Sequence, residues 1–156
     1  MAGRRRAPRA IRILCLSGPN LQLLGKREPE VYGRATLDEI HERLERRARE
    51  LDVHLDARQT NHEGTLVDWI GAAPADGVTG LLLNPGAYTH TSIAIYDALR
   101  AVALPCVEVH LSNPDAREAF RRRSRVAPAC VGRVSGFGPD SYVLALDGLV
   151  RILSRA

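Results

Sequence analysis

The sequence predicts an α/β fold: a five-stranded parallel sheet of order 2-1-3-4-5 with helices on both faces. Three observations carry that prediction. Short apolar runs alternate with stretches of helical periodicity, the pattern of repeated strand–helix units. The central run, Thr79 to Leu83, is apolar without alternation, as in a strand buried on both faces. A chain of 156 residues, 45% hydrophobic and 26% charged, suits one domain able to bury its core without disulfides or metals.

The first ten residues read as a basic tail and 11–156 as a single folded domain. Residues 1–12 hold Arg4, Arg5, Arg6, Arg9 and Arg12 and no acid, so 22 − 5 leaves 17 basic against 18 acidic residues over 13–156. The net charge of +4 therefore belongs mainly to the tail, and no nucleic-acid partner is expected for the body. A silent extension, an anion-binding arm and a short organellar presequence all remain open for it. No apolar stretch approaches membrane-spanning length, so no membrane partner is expected. Cys15, Cys106 and Cys130 lie in apolar strand-like runs with no CxxC pair, which suits reduced core cysteines of a cytoplasmic protein.

Strand one is Ile11–Leu16. A connection of about eighteen residues follows, where two to six is usual, so it reads as a lid or binding loop. It holds Asn20, Lys26 (the only lysine), Arg27 and Tyr32. The first long helix covers Leu37–Leu51, with Leu37, Ile40, Leu44, Ala48 and Leu51 on one face. Thr36 and Glu39 form a capping box at its start. Strand two is Val53–Gln59, an edge strand by its alternation, and a helix follows over Gly64–Ala73. Strand three is Thr79–Leu83, with a helix over Thr91–Ala101. Strand four is Cys106–Val109, followed by a helical turn over Ala116–Arg123. Strand five is Cys130–Val134, and a last helix runs from Pro139 to Leu153. These units fit a flavodoxin-like three-layer sandwich, in which ligands bind beyond the carboxyl ends of the strands at the switch point beside strand one.

Those ends gather the polar chemistry. Asn20, Arg27 and Tyr32 follow strand one; Asn84 and His90 follow strand three; Glu108, His110 and Ser112 lie at the end of strand four. Arg117 and Arg121, at i,i+4 spacing, are expected on one side of a helical turn, and His90 and Asp97 on one face of a helix. Each also has a plainer reading. Tyr32-Gly33 taken alone is a turn with a ring on the surface, His110 a satisfied structural histidine, and Asn20 and Asn84 turn residues. Neighbouring arginines would favour a Tyr32 phenolate, and Glu108, on the same strand face as His110, would make that histidine a proton donor. The Arg121–Arg125 run reads as a solvated face or an anion patch. Trp69 and Tyr142 read as core.

Absences narrow the chemistry further. No phosphate-binding glycine loop is present, and Gly136-Phe137-Gly138 lacks the third glycine of a dinucleotide fingerprint, so it reads as a tight turn. His41, His54 and His62 have no ligand spacing, and no metal is expected. A single lysine makes Schiff-base chemistry an unpromising reading.

Five blocks together resemble type II 3-dehydroquinate dehydratase. They are Ser17-Gly18-Pro19-Asn20, the run Gly25 to Gly33, Gln59 to Gly64, Leu83 to Ser92 and Val107 to Asn113, in register from about Ile11 to Val150. The resemblance implies dehydration of 3-dehydroquinate to 3-dehydroshikimate in the shikimate or quinate pathway, with no cofactor. It implies Tyr32 as the base, activated by Arg27 with Arg117, and Asn20 holding the water that stabilises the enolate. His110, oriented by Glu108 and Asn84, would protonate the departing hydroxyl in an anti elimination. The Leu111 and Ser112 amides, helped by the Asn84 and Ser112 side chains, would hold the carboxylate, and His90 and Arg121 the ring hydroxyls. Asp97 would reach a neighbouring subunit of a trimer, four of which make a dodecamer. The chain departs from the family pattern at Ser17, often asparagine, at Tyr96, often arginine, and at Thr60, often serine. The residues alone leave two rivals open: a flavodoxin-like module binding flavin or an anionic regulator, and a nucleic-acid binder with steeply salt-dependent affinity.

Overall fold

The computed structural model describes residues 9–156. The expected basic tail lies outside the described residues as far as residue 8. Strands β1 (Arg12–Ser17), β2 (His54–Gln59), β3 (Gly80–Asn84), β4 (Cys106–His110) and β5 (Gly132–Ser135) form one parallel sheet in the order β2-β1-β3-β4-β5. Helices α1 (Pro29–Tyr32), α2 (Leu37–Glu50), α3 (Glu63–Ala72), α4 (Ile93–Val102) and α5 (Asp140–Ser154) complete the chain.

Successive residues of a strand point to opposite faces, and here both faces are covered. Ile13, Cys15, Leu82, Val107 and Val109 pack with α2 and α5 in one core. Leu14, Leu16, Leu81, Leu83 and Cys106 pack with α3 and α4 in the other. On α2 the buried residues are Leu37, Ile40, Leu44 and Ala48, the face that the periodicity marks. Each fully buried leucine or isoleucine contributes about 1.5–3 kcal/mol. The Thr36 hydroxyl accepts the Glu39 N–H at 3.2 Å and the Glu39 carboxylate accepts the Thr36 N–H at 2.9 Å, which completes the capping box. The Arg47 guanidinium joins α2 to Asp147 of α5 through two hydrogen bonds, at 2.8 and 3.3 Å. Its exposure to solvent keeps that pair a minor contributor beside the core.

Four local expectations are corrected. The segment Ala116–Arg123 is not one helical turn. It holds two separate 3-10 turns, Pro114–Ala116 and Ala119–Arg121, with Arg117 extended between them at φ −107° and ψ −159°. Second, His90 and Asp97 do not share a helix. His90 closes the 3-10 turn Gly86–His90, and α4 restarts after Ser92, whose hydroxyl caps it by accepting the Ile95 N–H. Third, β5 begins at Gly132, after a 3-10 turn over Ala127–Ala129, so Cys130 lies outside the strand and only half-buried. Cys15 and Cys106 are buried as expected, and burial pushes the Cys15 thiol up to about 12. Last, Trp69 is only partly buried, with the Arg58 guanidinium carbon 5.5 Å from its ring centroid. Among the described residues no helix is long and apolar enough to cross a membrane.

His41 on α2 carries a pH consequence. Its Nε2 is buried without a hydrogen-bond partner among the described residues, and burial pushes the ring below its ordinary 6.5, against the pull of Asp38 and Glu45. The folded chain therefore favours the neutral imidazole, while the unfolded chain takes up a proton as pH falls through about 6.5. Stability is expected to fall on acidification through that pH, and His41→Gln to flatten the fall. Urea midpoints measured across the range check it; an unchanged slope in the variant removes His41 as the cause.

Candidate active site

The carboxyl ends of β1, β3 and β4 open into a cavity of about 80 Å³. Ser17, the last residue of β1, stands level with Gln59 of β2 on one side and Asn84 of β3 on the other. The chain leaves the sheet in opposite directions on either side of this seam, and that divergence creates the crevice.

The turn after β1 is pinned on both sides. Gly18 N–H donates to the Asn84 carbonyl at 2.8 Å, and Gln59 Nε2 donates to the Gly18 carbonyl at 3.1 Å. Asn20 adopts the left-handed conformation, φ 67°, which asparagine tolerates better than most residues. Its N–H donates to Asn61 Oδ1 at 3.0 Å. The long connection is not structureless. It contains a 3-10 turn at Leu21–Leu23 and the single-turn helix α1, which Gly33 ends at φ 79°.

Tyr32, at the end of α1, lies between two guanidinium groups. Arg117 Nη1 donates to its hydroxyl at 2.8 Å, and the Arg27 and Arg117 guanidinium carbons lie 5.2 and 5.1 Å from its ring centroid. Arg117 Nη1 also reaches Ser112 Oγ at 3.5 Å. Arg121 lines the same cavity, although no shared helix brings it there. It donates to Glu118 at 2.7 Å. Glu118's own backbone N–H and the Arg121 guanidinium hold that carboxyl below the usual range.

On β4, Glu108 is fully buried and lies 2.6 Å from His110 Nε2, the pairing that their spacing suggests. Asn84 donates through Nδ2 to the Tyr142 hydroxyl at 3.0 Å and accepts the Gly86 N–H on Oδ1 at 3.2 Å. The Tyr142 hydroxyl also pairs with Ser17 Oγ at 2.9 Å. Burial raises the Tyr142 phenol above its ordinary value, so it remains a neutral hydrogen-bonding group. His90 donates from Nδ1 to the Arg123 carbonyl at 2.8 Å, which leaves Nε2 as its free nitrogen.

Asn20, Arg27, Tyr32, Asn84, His90, His110, Leu111, Ser112, Arg117 and Arg121 all line this one cavity. Glu108 stands behind His110 rather than in the wall. Asp97 is exposed on α4 and does not line the cavity. No group of three or more histidine, cysteine or acidic side chains among the described residues is arranged to hold a metal.

Residues 11–150 match the family described as Dehydroquinase class II. The chain belongs to that family. It is 54% identical over 140 residues to the 3-dehydroquinate dehydratase of Rhizobium johnstonii, covering 90% of this chain and 96% of that one. It is 56% identical over 141 residues to the enzyme of that name from Thermus thermophilus, covering 90% and 95%. The crystal structure of type II dehydroquinase from Butyrivibrio crossotus superposes with a TM-score of 0.88 at 39% identity, covering 90% of this chain and 97% of that one.

Within this dehydroquinase fold, sequence reasoning missed several supporting residues. Asn61 anchors the Asn20 turn, Tyr142 and Ser17 anchor Asn84, and Ser124 touches Glu108. Arg133 of β5 comes within 3.8 Å of Glu108. Asn61 and Ser17 stood inside motifs already singled out. Tyr142 had only its place in an apolar helix, and nothing local linked Ser124 or Arg133 to Glu108.

Proposed function

We propose that the chain catalyses the dehydration of 3-dehydroquinate to 3-dehydroshikimate, with Tyr32 as the base and His110 as the acid. The observation that carries the proposal is the Tyr32 hydroxyl, 2.8 Å from Arg117 in a cavity also lined by His110, which pairs with the buried Glu108 behind it. Arg117 donates to the Tyr32 hydroxyl and the Arg27 guanidinium lies over its ring, so both cationic groups stand beside the phenol assigned as base.

In the proposed sequence the phenolate removes a C2 proton beside the ketone, and the C–H electrons form an enolate. A water held by Asn20 stabilises the enolate oxygen. The carbonyl then re-forms, the C1–C2 double bond closes, and the C1–O bond breaks. His110 gives a proton to the departing hydroxyl, which leaves as water from the face opposite the abstracted proton. The Leu111 and Ser112 amides with the Asn84 and Ser112 side chains hold the carboxylate, and His90 and Arg121 hold the ring hydroxyls. Each proton transfer is assigned to a side chain of the protein, so the scheme uses no cofactor. Asp97, outside its own cavity, serves the site of a neighbouring subunit in a trimer-based assembly, a dodecamer by family resemblance.

The assay follows enone-carboxylate absorbance after adding 3-dehydroquinate to protein whose assembly has been sized by light scattering. Absorbance is expected to rise. Folded protein that leaves 3-dehydroquinate unchanged defeats the proposal, and a monomeric, fully active protein removes the role of Asp97.

A further inference from the structure

The basic run Arg121–Arg125 joins the cavity floor through its hydroxyl as well as its charges. Ser124 Oγ accepts the N–H groups of Val126 at 3.2 Å and Ala127 at 2.9 Å. A serine hydroxyl has two lone pairs and one proton. With both lone pairs engaged, its proton is directed to Glu108, whose two carboxylate oxygens each lie 3.0 Å from Oγ. The flanking residues continue the attachment. The Arg123 carbonyl accepts from His90 Nδ1 at 2.8 Å, and Arg125 N–H donates to the Thr89 carbonyl at 2.7 Å. Three consecutive residues thus form a strap tied to the 3-10 turn Gly86–His90 that follows β3 and to the middle of β4.

We propose that Ser124 is a positioning residue of the reaction: it fixes the plane of the Glu108 carboxylate and, through it, the orientation of the His110 ring. The proposal rests on the reading of His110 as the proton donor. The terminal torsion of a glutamate is broad, so a buried carboxylate held only by His110 retains rotational freedom. A hydroxyl shared between both oxygens removes it. Arg133, at 3.8 Å, contributes charge but lies beyond hydrogen-bond distance. Ser124 does not line the cavity, so its loss should spare substrate binding and slow the proton transfer.

The test compares Ser124→Ala and Ser124→Thr with the wild-type assembly on 3-dehydroquinate. Ser124→Ala is expected to lower kcat about 10- to 100-fold, the range for one hydrogen bond to a charged group, with KM within about threefold. Ser124→Thr, which keeps the hydroxyl, should restore most of kcat. Nitrogen NMR of His110 should show one defined Nε2–H tautomer in the wild type and an averaged ring in Ser124→Ala. A Ser124→Ala kcat within about twofold of wild type, or a loss confined to KM, overturns the proposal. If the alanine variant does not fold, Ser124→Cys keeps the size with a weaker donor, and full activity there overturns it equally. An inactive wild type removes the functional reading beneath it; an active wild type with an unaffected alanine variant removes the positioning role alone.

Discussion

Tyr32→Phe is expected to lower kcat roughly a hundred- to ten-thousand-fold, the usual worth of a positioned general base. The substitution deletes one oxygen and leaves the ring beside Arg27 and Arg117, so the cavity keeps its shape. KM should stay within about threefold, because the hydroxyl acts on the transition state rather than on the bound ground state. Tyr32 is partly exposed on the short helix α1, so little folding stability rests on it. Steady-state kinetics with 3-dehydroquinate decide the matter. A loss of less than about tenfold would place the base elsewhere.

Gly18→Ala is expected to damage both the fold and the site. A Cβ there would lie 2.5 Å from the Pro85 carbonyl oxygen and 2.7 Å from its carbon, and neither backbone atom can rotate away. Exchanging glycine for alanine in an unstrained place stabilises by about 0.4–1 kcal/mol through the unfolded chain. Overpacking costs about 1–3 kcal/mol or more, so the overlap wins. The same shift would stretch the Gly18–Asn84 bond and separate the turn carrying Asn20 from the turn carrying Asn84. Both the urea midpoint and kcat/KM should fall. A midpoint equal to or above that of the wild type would contradict the overlap argument.

Much of this architecture was legible because each element carries a repeating signal. Leu37, Ile40, Leu44 and Ala48 mark one helical face, and Thr36 with Glu39 marks its start. The unbroken Thr79–Leu83 run marks a strand buried on both sides, and the observed sheet order follows the expected one. The site was legible for a related reason: side chains following parallel strands converge wherever the sheet order reverses. Periodicity failed where the chain has none. The spacing of Arg117 and Arg121 suggested one helix, yet Pro114 starts a separate turn and Arg117 is extended. Both arginines still line the cavity, although no shared helix carries them there. The contacts of Ser124 with Glu108 and of Tyr142 with Asn84 join segments remote in sequence. Such pairings leave no local pattern to read.

The Tyr142 contact ties the candidate site to the last helix of the chain. Every side chain assigned to chemistry lies between Asn20 and Arg121, so a growing chain possesses all of them before α5 exists. Yet Asn84 is braced from beneath by a phenol that arrives with the last helix. A nascent chain stopped before Tyr142 would carry a full set of reactive groups over an unfinished floor. Docking of α5 is therefore expected to complete the support beneath Asn84.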